Sequence, residues 1–215
     1  MLILQLELWL VATNTYVVAP EAGGPAVVID APPECFEPLT DLLATHDLTP
    51  TALLVTHGHV DHLGGAADFV ARTGVAAYFH PEDDFLARRP EDQLRVLMGT
   101  VPPGDYRPPE TYRELSDGQV LDLAGPRLGV VATPGHTPGH CCFYLAEEGV
   151  FFSGDHLLAG SIGRTDLPGA DYETLMTSMR EKVLPLDDAV TVMPGHGPST
   201  TVGRERRFNP FMGGY

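Results

Sequence analysis

The stretch Thr56-His57-Gly58-His59-Val60-Asp61-His62 decides how this chain is read. Three of the chain's nine histidines fall within six residues, with a carboxylate among them, directly after the apolar run Ala52-Leu53-Leu54-Val55. A short continuous apolar run bounded by turn residues marks a strand buried on both faces, so the cluster sits at a strand end. If the segment leaves that strand extended, side chains two apart share a face. His57, His59 and Asp61 then point the same way, while His62 turns aside to a second metal or to none. Imidazole and carboxylate at this spacing are the donors that borderline divalent cations prefer. Taken singly, any of these histidines is better explained as a helix cap or a surface residue, and it is the grouping that points to a metal.

Further along, similar positions recur. His136 stands in Thr133-Pro134-Gly135-His136, Asp155 in Ser153-Gly154-Asp155 and His196 in Pro194-Gly195-His196-Gly197, each past an apolar run and beside a glycine that lets the backbone turn close to an ion. The candidate set is therefore five histidines and two aspartates, more than one metal can use. A catalytic zinc takes about four ligands and keeps one for water. Seven protein donors and a shared water suit two ions roughly 3.5–4 Å apart. Two doubly charged cations set against two carboxylates and one hydroxide leave one net positive charge, suited to polarising a carbonyl and holding an oxyanion. The expected cofactors are thus two divalent metal ions, zinc first, with iron and manganese admissible because no sulfur donor is present.

Patterning predicts strands over 2–11, 16–19, 26–30, 51–55 and 75–79, and a helix over 34–46. A second helix is expected over 63–73, with Asp61 as its cap and Gly74 as its stop, then two short helices, 82–88 and 91–97, split by Pro90. Residues 99–109 hold four prolines and two glycines and read as irregular, either a flap over the site or a surface connection. Strands follow over 112–115, 119–123, 127–132, 141–146 and 150–152, then a helix over 172–183, a strand over 189–193 and an Arg-rich helix from about Gly203. Such alternation implies an α/β protein with helices packed on sheets. Pro-Gly-His occurs twice, at 134–136 and 194–196, a hint of a duplicated layout.

With 43% apolar and 20% charged residues the chain reads as an ordinary soluble protein. Its formal net charge of −16 argues against nucleic acid or an anionic membrane as a partner. Three cysteines make no disulfide framework and fit a reducing compartment, hence a cytoplasmic location. Cys141 and Cys142 lie in an apolar run and read as strand core. Residues 1–11 alternate like a strand rather than a signal peptide, and no apolar run is long enough to span a bilayer.

His-x-His-x-Asp-His, the lone His136 after a Pro-Gly turn, Asp155 in Ser-Gly-Asp and the final Gly195-His196 together resemble the metallo-β-lactamase superfamily. The resemblance implies one domain over 1–215, a four-layer αββα sandwich with its site at one sheet edge. It implies that His57, His59 and His136 hold one metal and Asp61, His62 and His196 the other, with Asp155 bridging. More narrowly, Thr133-Pro134-Gly135-His136-Thr137-Pro138-Gly139-His140, the segment Gly160-Ser161-Ile162-Gly163-Arg164-Thr165-Asp166-Leu167-Pro168-Gly169 and the tail Glu205-Arg206-Arg207-Phe208-Asn209-Pro210-Phe211 are similar to the short bacterial glyoxalase II-like, or hydroxyacylglutathione hydrolase-like, enzymes. That implies hydrolysis of a small-molecule thioester such as S-lactoylglutathione. Full-length enzymes of that kind carry a C-terminal helical extension that binds glutathione, where this chain has residues 197–215 after His196. The reaction type is expected to carry over, with the thiol half of the substrate left open.

On this reading a metal-bridging hydroxide attacks the thioester carbonyl, with Asp61 as the catalytic residue that orients it. Arg164 is a candidate for a substrate carboxylate, beside a structural pairing with Asp166 or Asp171. His140 and His156 neighbour ligands and are candidates for hydrogen bonding to them. Rivals are a mononuclear iron persulfide dioxygenase using His57, His136 and Asp155, a β-lactamase or lactonase, and a metal module without catalysis. The dioxygenases are expected to show Cys-Gly-Arg and Ala-His where this chain has Ile162-Gly163-Arg164 and Gly195-His196.

Overall fold

Runs rich in valine, leucine and aromatic residues become strands, and the strands collect into two six-stranded sheets and one small hairpin. The structure is a computed structural model that describes residues 1–123 and 125–212. It divides into two compact units, Met1–Leu115 with Asp122–Pro126, and Ser116–Leu121 with Arg127–Tyr215.

In the first unit β1 (Leu2–Leu8), β2 (Thr13–Ala19), β3 (Pro25–Ile29), β4 (Thr49–Leu54), β5 (Ala76–Phe79) and β6 (Arg113–Glu114) lie side by side in that order. β1, β2 and β3 pair antiparallel, whereas β3, β4, β5 and β6 run parallel. The loops after β3, β4 and β5 therefore leave from one edge of the sheet. β1 stops at Leu8 because Trp9 and Ala12 take positive φ and fold the chain back into β2.

The helices of this unit are α1 (Phe36–Thr45), α2 (Val60–Leu63), α3 (Ala66–Thr73), α4 (Asp84–Ala87) and α5 (Pro90–Met98). α1 buries Leu39 and Leu43, four residues apart on one face, and α3 buries Ala66 and Phe69. Gly74 and Gly99 end α3 and α5 in the left-handed conformation, and Pro90 opens α5. Leu39, Leu53, Val55, Phe69 and Phe79 belong to one buried cluster. The Pro-rich stretch is pinned: Tyr106 is buried in a cluster with Val60 and Leu94, and its hydroxyl donates to Pro102 O at 3.1 Å.

One expectation is corrected here. Asp61 does not cap the helix that follows; it lies inside α2, which starts at Val60 straight after the extended His59. The Val60 N–H, which a helix start leaves without an intrahelical partner, is taken by Gln93 Oε1 at 2.9 Å.

In the second unit, which holds all of it but Asp122, the other sheet is formed by β7 (Val120–Asp122), β8 (Arg127–Ala132), β9 (Cys141–Leu145), β10 (Val150–Gly154), β13 (Thr191–Pro194) and β14 (Thr200–Thr201) in the spatial order β14-β13-β10-β9-β8-β7. β9 is antiparallel to both β8 and β10, and β10 is parallel to β13, so β8, β10 and β13 all point the same way. The hairpin β11 (Leu157–Leu158) and β12 (Ser161–Ile162), like β14, was not foreseen, since two-residue strands carry no periodicity. α6 (Tyr172–Ser178) is capped by Asp171, whose carboxylate accepts from Thr174 N at 2.7 Å. It runs on to Val183 as a wider turn in which Leu184 N reaches Met179 O at 2.9 Å. α7 (Val202–Phe208) starts from Thr201. Leu175, Met179, Val192 and Val202 belong to this unit's buried cluster. No helix among the described residues is long and apolar enough to cross a membrane.

Phe69→Ala removes a ring that is fully buried in the first unit and should cost about 3–5 kcal/mol in urea unfolding. Phe208→Ala, at a position 75% exposed, should change stability by no more than about 0.5 kcal/mol. Equal effects of the two substitutions would contradict the described packing.

Candidate metal centre

In the first unit the donors follow β4 at the edge where the parallel strands end. His57, His59, Asp61 and His62 are all buried. The expectation that extended geometry alone aligns three of them is corrected. His57 and His59 are presented by the loop, but Asp61 and His62 come from the single turn of α2. His57 Nε2 lies 3.0 Å from His59 Nδ1, and His62 Nε2 lies 3.5 Å from Asp61 Oδ2. Thr13 Oγ1, at the start of β2, donates to Asp61 Oδ2 at 3.4 Å.

A residue that sequence reasoning missed organises this group. Asp30 directly follows β3, is buried and sits at φ 62, a left-handed conformation that Asp tolerates better than most residues. Its Oδ1 accepts from Thr56 N at 2.7 Å, and its Oδ2 accepts from Thr56 Oγ1 at 2.8 Å and faces His62 Nδ1 at 2.7 Å. A carboxylate can only accept, so the His62 proton sits on Nδ1 and the Nε2 lone pair points away. Thr56 spends its hydroxyl proton on Asp30, so its oxygen accepts from His57 Nδ1 at 3.0 Å, which leaves the His57 Nε2 lone pair outward as well. The available signal was an acidic residue at the end of a valine-rich strand.

Asp83 and Gln93 were missed too, and nothing in their local sequence marks them. Asp83 Oδ2 accepts from Gly58 N at 2.8 Å, while Gln93 Nε2 donates to Gly58 O at 3.1 Å. A Cβ on Gly58 would stand 2.9 Å from both the Cβ and the carbonyl oxygen of Asp83, so the residue between the two histidines has to be glycine.

In the second unit His136, Asp155 and His196 follow β8, β10 and β13, the three strands that point the same way. Asp155 Oδ2 lies 3.6 Å from His136 Nε2 and 3.5 Å from His196 Nε2. Gly195 N donates to Gly154 O at 2.7 Å and ties two of these turns together. His136 Nδ1 donates to the backbone oxygen of Arg164 at 2.8 Å, which turns the Nε2 lone pair toward Asp155. His140 accepts from Asp155 N at 3.1 Å through Nε2 and meets Thr133 Oγ1 at 2.8 Å through Nδ1, the supporting role expected of it.

His156 does not play such a part. Both of its ring nitrogens lack hydrogen-bond partners among the described residues, and burial pushes its pKa down to about 3, so the ring stays neutral. Arg164 takes the structural pairing, with Nε and a terminal nitrogen each 2.9 Å from a carboxylate oxygen of Asp166. Cys141 and Cys142 are buried in β9, and burial pushes the Cys142 thiol up to about 12, so it offers no thiolate at neutral pH.

The donor pairs fit a cation. Two ligand atoms about 2.0–2.1 Å from one tetrahedral ion lie roughly 3.3–3.4 Å apart. The three nitrogen–oxygen separations of 3.5, 3.6 and 3.5 Å exceed ordinary hydrogen bonds and match two ligands of one ion. Each unit thus presents imidazole and carboxylate groups capable of binding metal.

A family model described as the metallo-beta-lactamase superfamily matches residues 8–196. The hydroxyacylglutathione hydrolase GloC of Haemophilus influenzae is 40% identical over 189 residues, 87% of each chain. Among solved structures, BLEG-1 B3 metallo-beta-lactamase superposes with a TM-score of 0.89 at 35% identity, covering 99% of this chain and 100% of that one. TTHA1623 in a di-iron-bound form gives 0.85 at 40% identity, covering 97% and 99%.

Asp30→Asn places an amide donor against groups that already donate. Metal affinity, read by competition with a chromophoric chelator, should fall about 10–100-fold while the far-ultraviolet dichroism stays that of the parent. Unchanged affinity would show that Asp30 does not orient the donors.

Proposed function

The chain belongs to the metallo-β-lactamase superfamily, a family of metal-dependent hydrolases acting on small molecules, and from that premise we propose that it hydrolyses thioesters of the S-lactoylglutathione type. The observation that carries the substrate class is the 40% identity with GloC across 87% of both chains. The donors are assigned on the same reading. His57, His59 and His136 would hold one divalent ion and Asp61, His62 and His196 the other, with Asp155 available to both. Zinc is the first choice for these nitrogen and oxygen donors. Iron stands beside it because the similar TTHA1623 has a di-iron-bound form, and manganese is also compatible with the donors.

When bound, the two ions would supply a hydroxide at neutral pH and polarise the thioester carbonyl. The chain's own residues do the rest. Asp61, steadied by the Thr13 hydroxyl, orients the attacking oxygen through its carboxylate. Asp30 and Thr56 keep the protons of His62 and His57 on Nδ1, so that neither ring has to reorganise during turnover. Buried surroundings limit competing water and strengthen every charge interaction at the donors. No protein nucleophile is required, which agrees with a Cys142 thiol that stays protonated.

A second reading is favoured by one observation, the full-length match to BLEG-1, and would put β-lactam hydrolysis on the same donors. The test is to count metal ions per chain by elemental analysis, then compare three assays: S-lactoylglutathione cleavage, hydrolysis of a chromogenic cephalosporin, and oxygen uptake with glutathione persulfide. Two metals and dominant thioester cleavage are expected. A dominant cephalosporin rate would replace the first reading by the second, and one iron with oxygen uptake would sink both. Asp61→Asn should lower kcat for the thioester by roughly 10²-fold or more with little change in melting temperature.

A further inference from the structure

The tail motif picked out in the sequence, Glu205 to Phe211, has no part in the chemistry above, yet it holds a buried carboxylate. Glu205 is 1% exposed and has no cationic partner among the described residues. Burying a carboxylate away from water is costly unless hydrogen bonds replace the solvent. Here Oε1 accepts from Thr200 Oγ1 at 2.6 Å, and Oε2 accepts from Gly160 N at 2.7 Å and from Asn209 Nδ2 at 2.9 Å. Asn209, also buried, donates to Ser161 O at 2.9 Å. The two side chains lie one helical turn apart and together grip the β11–β12 hairpin by a backbone N–H on one side and a backbone carbonyl on the other.

What the hairpin carries next explains the grip. β12 ends at Ile162, and the following two residues press on the donor pair of this unit. A Cβ on Gly163 would collide with the Asp155 carbonyl oxygen and come within 2.8 Å of His136 Nδ1. The Arg164 carbonyl is the acceptor that fixes the His136 proton. From the other end of the hairpin, Ser153 Oγ donates to Leu157 O at 2.7 Å, two residues before Asp155 in the chain. A shift of the hairpin therefore moves the acceptor that sets the His136 ring and the wall behind Asp155.

We propose that Glu205 is a positioning residue for the metal donors His136 and Asp155, acting through the β11–β12 hairpin and the Gly163 and Arg164 backbone. This rests on the reading that those two residues hold metal. Glu205 itself touches neither donor. Its role is to hold a two-residue hairpin that could not keep its place through two pairs of strand residues alone.

The test uses the full chain loaded with cobalt(II). Visible spectra report the ligand geometry, and competition with a chromophoric chelator reports affinity. Glu205→Gln replaces an oxygen that accepts two bonds by an amide that donates. Cobalt affinity should fall about 10-fold or more, and the ligand-field bands should shift. Val183→Ala, in the buried hydrophobic cluster of this unit but without a hydrogen bond to the hairpin, serves as the stability control and should lower the melting temperature while leaving spectrum and affinity as in the parent. Should Glu205→Gln fail to fold, Asn209→Ala keeps the Thr200 and Gly160 bonds and should move the spectrum in the same direction by less. Lowered stability in the Glu205 and Asn209 variants with parental spectra would overturn the proposal and leave the metal reading standing. A parent chain that binds no cobalt would sink the metal reading, and this proposal with it.

Discussion

An imidazole has two nitrogens, and it can offer one lone pair to a cation only if the other is occupied in a way that keeps the proton there. Buried rings get no help from water, so the protein must supply each partner itself. That constraint organises what surrounds the donors. In the first unit the partners are Asp30 for His62 and the Thr56 hydroxyl for His57, linked because Thr56 donates to Asp30. In the second, a backbone carbonyl at Arg164 does the same for His136. Carboxylate, hydroxyl and carbonyl differ in chemistry, but each can accept, and each leaves Nε2 outward.

The sheets explain how such partners reach their rings. Parallel strands end on the same edge, so residues distant in the chain leave their strands side by side. Asp30 after β3, the cluster after β4 and Asp83 beyond β5 share one edge of the first sheet. His136, Asp155 and His196 share one edge of the second. The repeated Pro-Gly-His is the local trace of that second arrangement, a turn at a strand end that points a histidine off the edge. The net charge of −16 fits the same picture, since a pair of divalent cations would be the largest positive charges near these donors.

Much of this was legible beforehand. The run Ala52 to Val55 forms β4 and its buried continuation, the cysteine pair lies buried in β9, and Gly74 and Pro90 end and begin helices as their chemistry requires. What was misjudged was local and short. The sequence pattern suggests an extended residue or a cap at Asp61, whereas a single helical turn presents it beside His62, with Gln93 satisfying the N–H that opens that turn. The hairpin at 157–162 left no pattern because two paired residues per strand are too few to show a period. The Arg164 guanidinium pairs with Asp166, one of the two roles its sequence suggests, while its carbonyl, about which side-chain identity says nothing, accepts from His136 Nδ1.

Sequence alone picked out the candidate donors, the strand ends that bear them and the superfamily, because candidate ligands are side chains and the spacing of turns and apolar runs is written in residue identity. Tertiary structure decided which groups hold those donors in place. Asp30 lies 26 residues from Thr56 and 32 from His62, and Glu205 lies 45 from Gly160, separations at which no local pattern survives. The physical reason is that a buried acceptor is chosen by where the folded chain brings an oxygen, and an oxygen can come from almost any residue.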